Sequence, residues 1–252
     1  MEYVGGVFDT PAERLCVGVD VPDLAAAEPL VEALSGVAGW LKVGSQLFTA
    51  EGPAAVAVAR SAARVFLDLK FHDIPNTVAS AVSSATGLGV GMLTVHTGGG
   101  SAMLRAARDA AGEAADRIGC ERPLVIGVTV LTSLSSAELK EVGVEVGRVE
   151  EQVARLVDVA LGAGLDGVVA SPREAALVRE RAGDSLRVVT PGVRPADAPS
   201  DDQIRTATAA DAIREGADLV VVARPVIRAA DPAGAARSLV REIEAGLAAR
   251  RS

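Results

Sequence analysis

The chain has little cysteine, no excess of positive charge and no long apolar run, and each shortage narrows what it can be. Two cysteines, Cys16 and Cys120, cannot build the disulfide framework of a small secreted domain. Cys16 lies within an apolar stretch and reads as a small core residue. Against 33 Asp and Glu stand only 25 Lys and Arg, which leaves a net charge of −8. A nucleic-acid-binding face needs the opposite balance, so an anionic ligand would have to be held by individual, locally placed Arg and Lys. No apolar run approaches a membrane span. The opening residues MEYVGGVFDT are acidic and poor in apolar side chains, unlike a secretory signal, and the expected compartment is the cytoplasm. No low-complexity linker and no second regime of composition interrupts the chain. One domain over residues 1–252 is expected, with a short arm over about residues 1–13.

What is present is an alternation. Of the 252 residues 49% are hydrophobic, enough for a large core. Short β-rich runs are expected at Leu15–Asp20, Trp40–Gly44, Arg64–Lys70, Met92–His96, Leu124–Val130, Asp166–Ala170, Leu186–Thr190 and Asp218–Ala223. Ala-rich amphipathic runs fall between them, near 23–38, 52–62, 75–87, 101–117, 149–162, 172–182 and 208–215, with a last one near 232–249. Eight β-then-α units in a chain of this length predict an α/β fold, a (β/α)₈ TIM barrel; an open doubly wound sheet is the alternative. The strand faces favour the barrel. Leu15, Val17 and Val19 share one aliphatic face, as do Leu41 with Val43 and Leu93 with Val95. The opposite faces are smaller, mixed and more polar toward the strand's C-terminal end, as suits a barrel interior with a site at that mouth.

Polar residues collect at those ends: Asp20, Lys42, Asp68 with Lys70, His96, Thr132 with Ser133, Ser171, Arg194 and Arg224. The densest stretch is RVFLDLKFHDIPNTV, Arg64 to Val78. Regular alternation would put Asp68 and Lys70 on one face with Phe66, and Asp73 on the loop before Pro75 opens the next helix. The carboxylates beside Lys70 favour its charged form, whereas a Schiff-base lysine needs a free amine. Lys70 therefore reads as a placed proton donor. Its ammonium could also stabilise a developing carbanion, and Asp68 is a fixed negative charge beside it. After the seventh and eighth strands, where barrels often bind phosphate, stand Arg194 and Arg224. The polar, Pro-containing run from Arg194 to Gln203 suits a lid.

With these residues in view, Asp68-Leu-Lys-Phe-His-Asp-Ile-Pro-Asn-Thr77 resembles the signature of the orotidine 5′-phosphate decarboxylase family. The resemblance extends through Val19-Asp20-Val-Pro-Asp, Leu41-Lys42-Val-Gly-Ser-Gln-Leu-Phe48, Val128-Thr-Val-Leu-Thr132-Ser, Thr190-Pro-Gly-Val-Arg194, Asp201-Asp-Gln203 and Ala223-Arg224-Pro. It implies decarboxylation of orotidine 5′-phosphate to uridine 5′-phosphate in pyrimidine biosynthesis, without metal or cofactor. It further implies that Lys70 protonates C6 of the pyrimidine and that Asp68 sits against the departing carboxylate. Lys42 and Asp20 would hold the ribose hydroxyls, with Lys42 also in the charge network. Asp73 and Thr77 would reach into the partner's site in a homodimer, and Thr132 would lie by the pyrimidine. Gln203, Arg224, the N–H of Ala223 and the region of Arg194 would take the phosphate. Position 223 departs from the family's usual glycine, so its methyl could crowd the phosphate or demand a shifted backbone. Gln46 replaces a frequent Glu and is assigned no role. Two rivals stand beside this reading: a metal-dependent sugar-phosphate decarboxylase or aldolase of the same superfamily, and a non-catalytic barrel that binds a phosphate ligand. No convincing metal-ligand cluster is seen in the sequence, and His72 and His96 read as structural or supporting residues.

Overall fold

The computed structural model describes residues 7–193 and 207–250. Eight parallel strands close into a barrel in sequence order: β1 (Leu15–Gly18), β2 (Trp40–Gly44), β3 (Arg64–Phe71), β4 (Met92–His96), β5 (Leu124–Val128), β6 (Gly167–Val169), β7 (Arg187–Pro191) and β8 (Leu219–Val222). The barrel shuts where Cys16 of β1 pairs with Val221 of β8. The helices are α1 (Leu24–Leu34), α2 (Ser45–Glu51), α3 (Pro53–Arg60), α4 (Pro75–Gly87), α5 (Gly100–Ile118), α6 (Ser136–Glu141), α7 (Val149–Ala163), α8 (Ala175–Ala182), α9 (Ala209–Arg214), α10 (Arg224–Ile227) and α11 (Pro232–Arg250). The expected barrel and its eight strands are present, and the open sheet is excluded by the β1–β8 pairing.

Two apolar clusters hold this arrangement, and strand alternation assigns residues to them. Leu15, Val17, Leu41, Val43, Leu67, Leu93, Val125 and Val168 point outward and pack beneath the helices. Cys16, Trp40, Phe66, Met92, Ile126, Val189, Leu219 and Val221 fill the interior. A one-residue slip in any strand would exchange the two sets, and full burial of each large side chain stabilises the fold by about 1.5–3 kcal/mol. Phe8 is buried against the Trp40 ring, 6.0 Å between centroids. The N-terminal segment is thus docked from Phe8 onward, and a short 3₁₀ turn at Ala12–Arg14 leads it into β1.

Local chemistry accounts for the helix starts that frame the mouth. Pro75 occupies the first position of α4, where its missing N–H costs nothing. Ser135 and Glu138 form a reciprocal capping box on α6. The Asp231 carboxylate accepts the Gly234 N–H at 2.8 Å at the start of the final helix. That helix buries Ala236, Leu239 and Ile243, with Val240 and Leu247 partly covered, along one stripe facing the core. Three short helices had no counterpart in the sequence reading: α2, α6 and α10.

Candidate active site

Four charged side chains converge at the C-terminal mouth. Lys42, near the end of β2, places Nζ 3.2 Å from Asp20 Oδ1 and 3.5 Å from Asp68 Oδ2. Lys70 Nζ donates to the other oxygen, Asp68 Oδ1, at 2.9 Å. The pairs therefore run Asp20–Lys42–Asp68–Lys70, with one carboxylate held between two ammoniums. Close approach beneath them depends on two glycines. A Cβ at Gly18 would stand 3.2 Å from both Asp20 Oδ2 and Lys42 Cε, and one at Gly44 would stand 2.8 Å from Asp20 Oδ1 and 3.1 Å from Lys42 Nζ.

The electrostatics are those of a relay with a mostly buried centre, Lys42 and Asp68, and more open ends, Asp20 and Lys70. Burial alone would raise the Asp68 carboxyl. The Lys42 and Lys70 ammoniums, with hydrogen bonds from Lys70 and Thr94, outweigh it and hold Asp68 below the usual carboxylate range. Burial would lower Lys42, and the Asp68 and Asp20 carboxylates reverse that, so Lys42 lies above its ordinary value. Both groups stay charged. Beneath them, burial pushes the Cys16 thiol up, which leaves it an inert core residue. The barrel thus presents fixed opposite charges and an ammonium, Lys70, whose side chain is 38% exposed at the opening.

The strand carrying this set is irregular. β3 pairs regularly with β4 through Phe66↔Met92 and Leu67↔Leu93, and the ladder resumes only at Phe71↔Val95. Four steps along β3 are matched by two along β4, so Asp68, Leu69 and Lys70 stand opposite Thr94 alone. Lys70 has φ of +51°, the one left-handed residue other than glycine among those described. The unbroken alternation expected through Lys70 is therefore corrected: a bulge re-aims the lysine.

The remaining expected residues lie around this centre. Asp73 and Thr77 are exposed, and the Asp73 carboxylate accepts its neighbour Ile74 N–H at 2.6 Å instead of joining the charge relay. Thr132 is half-buried on the loop after β5. Ala223 precedes α10 with φ −123°, so its methyl demands no left-handed backbone. Arg224 is the first residue of that helix. Arg194, Gln203 and the expected lid between them lie outside the described residues. Two further features border the centre. His72 and His96 stack with centroids 5.0 Å apart, and burial, then His72, then Lys70, keep His96 below the usual histidine range. Thr94 hydrogen-bonds both Asp68 and the Lys70 backbone; its place on the inward face of β4, two residues before His96, was the available signal. Among the described residues no group of three or more His, Cys, Asp and Glu is placed to hold a metal ion.

A closed parallel barrel with a Lys–Asp relay at its C-terminal mouth defines the general class, a β/α-barrel enzyme. Comparison with known proteins narrows it. The chain belongs to the orotidine 5′-phosphate decarboxylase / HUMPS family, whose model matches residues 13–239. It is 54% identical over 234 residues to an orotidine 5′-phosphate decarboxylase of Moorella thermoacetica, covering 92% of each chain. A second such enzyme, of Alkalilimnicola ehrlichii, is 52% identical over 92% of this chain and 97% of its own. Among solved structures, orotidine 5′-phosphate decarboxylase from Lactobacillus acidophilus superposes with a TM-score of 0.80 at 33% identity, covering 90% of this chain and 97% of that one.

Proposed function

We propose that this chain, as a single barrel domain, decarboxylates orotidine 5′-phosphate to uridine 5′-phosphate, the de novo route to pyrimidine nucleotides, without a metal or organic cofactor. The observation that carries the reading is the relay itself: an ammonium at the barrel mouth, 2.9 Å from a carboxylate that a second ammonium also holds. In the reaction the bond from C6 of the pyrimidine to its carboxylate breaks. The electron pair remains on C6, carbon dioxide departs, and Lys70 Nζ delivers a proton to C6. Asp68, kept ionised by its neighbours, stands as a negative charge against the substrate carboxylate, while Lys70 opposes the charge that develops as carbon dioxide leaves. Lys42 and Asp20 hold the ribose, and Thr132 borders the base. The Ala223 N–H, Arg224, Gln203 and Arg194 bind the phosphate.

The site is completed by a second copy of the chain. Asp73 and Thr77 project from an exposed segment that also presents Ile74 with 67% of its surface open. A homodimer would cover that side chain and bring Asp73 and Thr77 to the partner's relay, giving the Lys42–Asp68–Lys70 set its fourth charge. No helix among the described residues is long and apolar enough to cross a membrane, and we place the activity in the cytoplasm. The test is conversion of orotidine 5′-phosphate by purified protein in the presence of excess chelator. Turnover at the rate seen without chelator supports the reading. Loss on chelation with recovery on adding magnesium would assign the chain to the metal-dependent sugar-phosphate branch, and binding of the nucleotide without turnover would make it a binding barrel.

A further inference from the structure

We infer that Thr94 is a positioning residue for Lys70: its hydroxyl fastens the left-handed bulge of β3 and so aims the proton donor. This deepens the decarboxylase reading and rests on it. The bulge creates a specific need. With three β3 residues opposite one β4 residue, the regular ladder between Leu67 and Phe71 is lost, and the Lys70 N–H has no place in it. The Thr94 hydroxyl accepts that N–H at 2.9 Å and donates its own proton to Asp68 Oδ1 at 3.0 Å. One oxygen thus clamps the backbone of the proton donor and the carboxylate that holds its ammonium. Asp68 Oδ1 is also the atom that Lys70 Nζ contacts at 2.9 Å. Backbone, hydroxyl, carboxylate and ammonium form a small closed circuit.

Burial makes the arrangement stiff. Thr94 is fully buried, and alternation along β4, with Met92 packed in the interior cluster, directs it inward. Because no solvent reaches the hydroxyl, water cannot readily replace it as acceptor and donor. A left-handed φ on a residue with a Cβ is unfavourable unless the surroundings enforce it. The Thr94 clamp is an interaction available to that geometry and not to a regular strand. Thr94 does not need to touch substrate for this role; its effect passes through the direction and freedom of the Lys70 side chain.

The experiment compares Thr94→Val, which keeps the shape and removes the hydroxyl, with Thr94→Ser, which keeps the hydroxyl. Three readouts are taken: steady-state decarboxylation, affinity for uridine 5′-phosphate by calorimetry, and hydrogen exchange at the Lys70 amide. Thr94→Val should lower kcat by roughly 10- to 100-fold, the effect of losing a hydrogen bond to a charged group. KM and product affinity should stay within about threefold, since the ribose and phosphate contacts are untouched. Thr94→Ser should retain kcat within about threefold, and the Lys70 amide should exchange at least about tenfold faster in Thr94→Val than in Thr94→Ser. Unchanged kcat in Thr94→Val, equal losses in both variants, or an unchanged amide rate overturns the inference. If Thr94→Val does not fold, Thr94→Ser decides: full activity with a protected Lys70 amide supports the clamp, and an unprotected amide in the active parent refutes it. Absence of turnover in the parent would refute the decarboxylase reading, whereas the amide comparison would still report on Thr94.

Discussion

Lys70 combines two properties that a pair of substitutions can separate. It carries the ammonium proposed as proton donor, and its backbone sits at φ +51°. Lys70→Ala and Lys70→Gly both delete the ammonium and its 2.9 Å contact with Asp68, so that loss cancels when the two are compared. They differ in the Cβ. At an ordinary strand position glycine is the worse residue by about 0.5–1 kcal/mol, because it loses more freedom on folding. In left-handed backbone the Cβ costs roughly 1–2 kcal/mol, and removing it reverses the order. Lys70→Gly should therefore be more stable than Lys70→Ala by about 0.5–1 kcal/mol, or roughly 2 °C in Tm for a domain of this size. Urea unfolding of the two proteins checks this. Turnover should fall in both by on the order of 10⁴-fold or more, the combined loss of a general acid and of a charge aimed at the developing carbanion. A glycine variant less stable than the alanine variant would show that the lysine is not held left-handed in solution. Near-normal decarboxylation by either would remove Lys70 from the reaction.

Three further outcomes are expected. Asp73→Asn and Lys70→Ala homodimers should each be poor enzymes, and mixing them should restore activity, because exchange creates one site carrying neither lesion; exchange seen by mass spectrometry without recovery would place both residues in the same chain's site. Arg224→Ala should lower kcat/KM for orotidine 5′-phosphate by on the order of 10²-fold and barely affect orotidine, which lacks the phosphate, whereas equal proportional losses would show that Arg224 does not grip phosphate. His96, held below the usual histidine range in the folded chain, binds fewer protons there than when unfolded, so its contribution to stability is present above about pH 6.5 and is lost as pH falls through its folded value. The thermal midpoint should drop on acidification across that window, and His96→Gln should remove that part of the slope; an unchanged slope would show that His96 is not the group responsible.

Much of this molecule is legible from residue order because a barrel repeats one physical rule. Outward positions such as Leu41 and Val43 must be aliphatic to meet helices, while inward ones such as Trp40 and Lys42 grade from filler to chemistry along a single strand. That contrast located β2 and β4 to the residue. It also directed Asp68, Lys42 and Asp20 to one mouth, where their contacts now connect them. Alternation fails where the backbone departs from it. Nothing in the run Leu67-Asp68-Leu69-Lys70 announces that three residues will face Thr94 alone, since that register depends on the pairing strand. The short helices α2, α6 and α10 were missed because six or seven residues, or four, carry too little periodicity to register. Thr94 by itself is only a small polar residue on the inward face of β4. Its importance lies in two simultaneous hydrogen bonds, which no residue type reveals by itself.

The space above Gly18 ties one end of the barrel seam to the other. A Cβ built there would come within 2.9 Å of the Ala223 methyl, closer than two carbons tolerate. Positions 18 and 223 are 205 residues apart in number, yet they share a single methyl-sized volume. Only one of them can hold it, and in this chain it is 223. The two sites are therefore coupled: a side chain at 18 requires glycine at 223. Even then the newcomer would meet Asp20 and Lys42, which leaves the exchange open in one direction and nearly closed in the other.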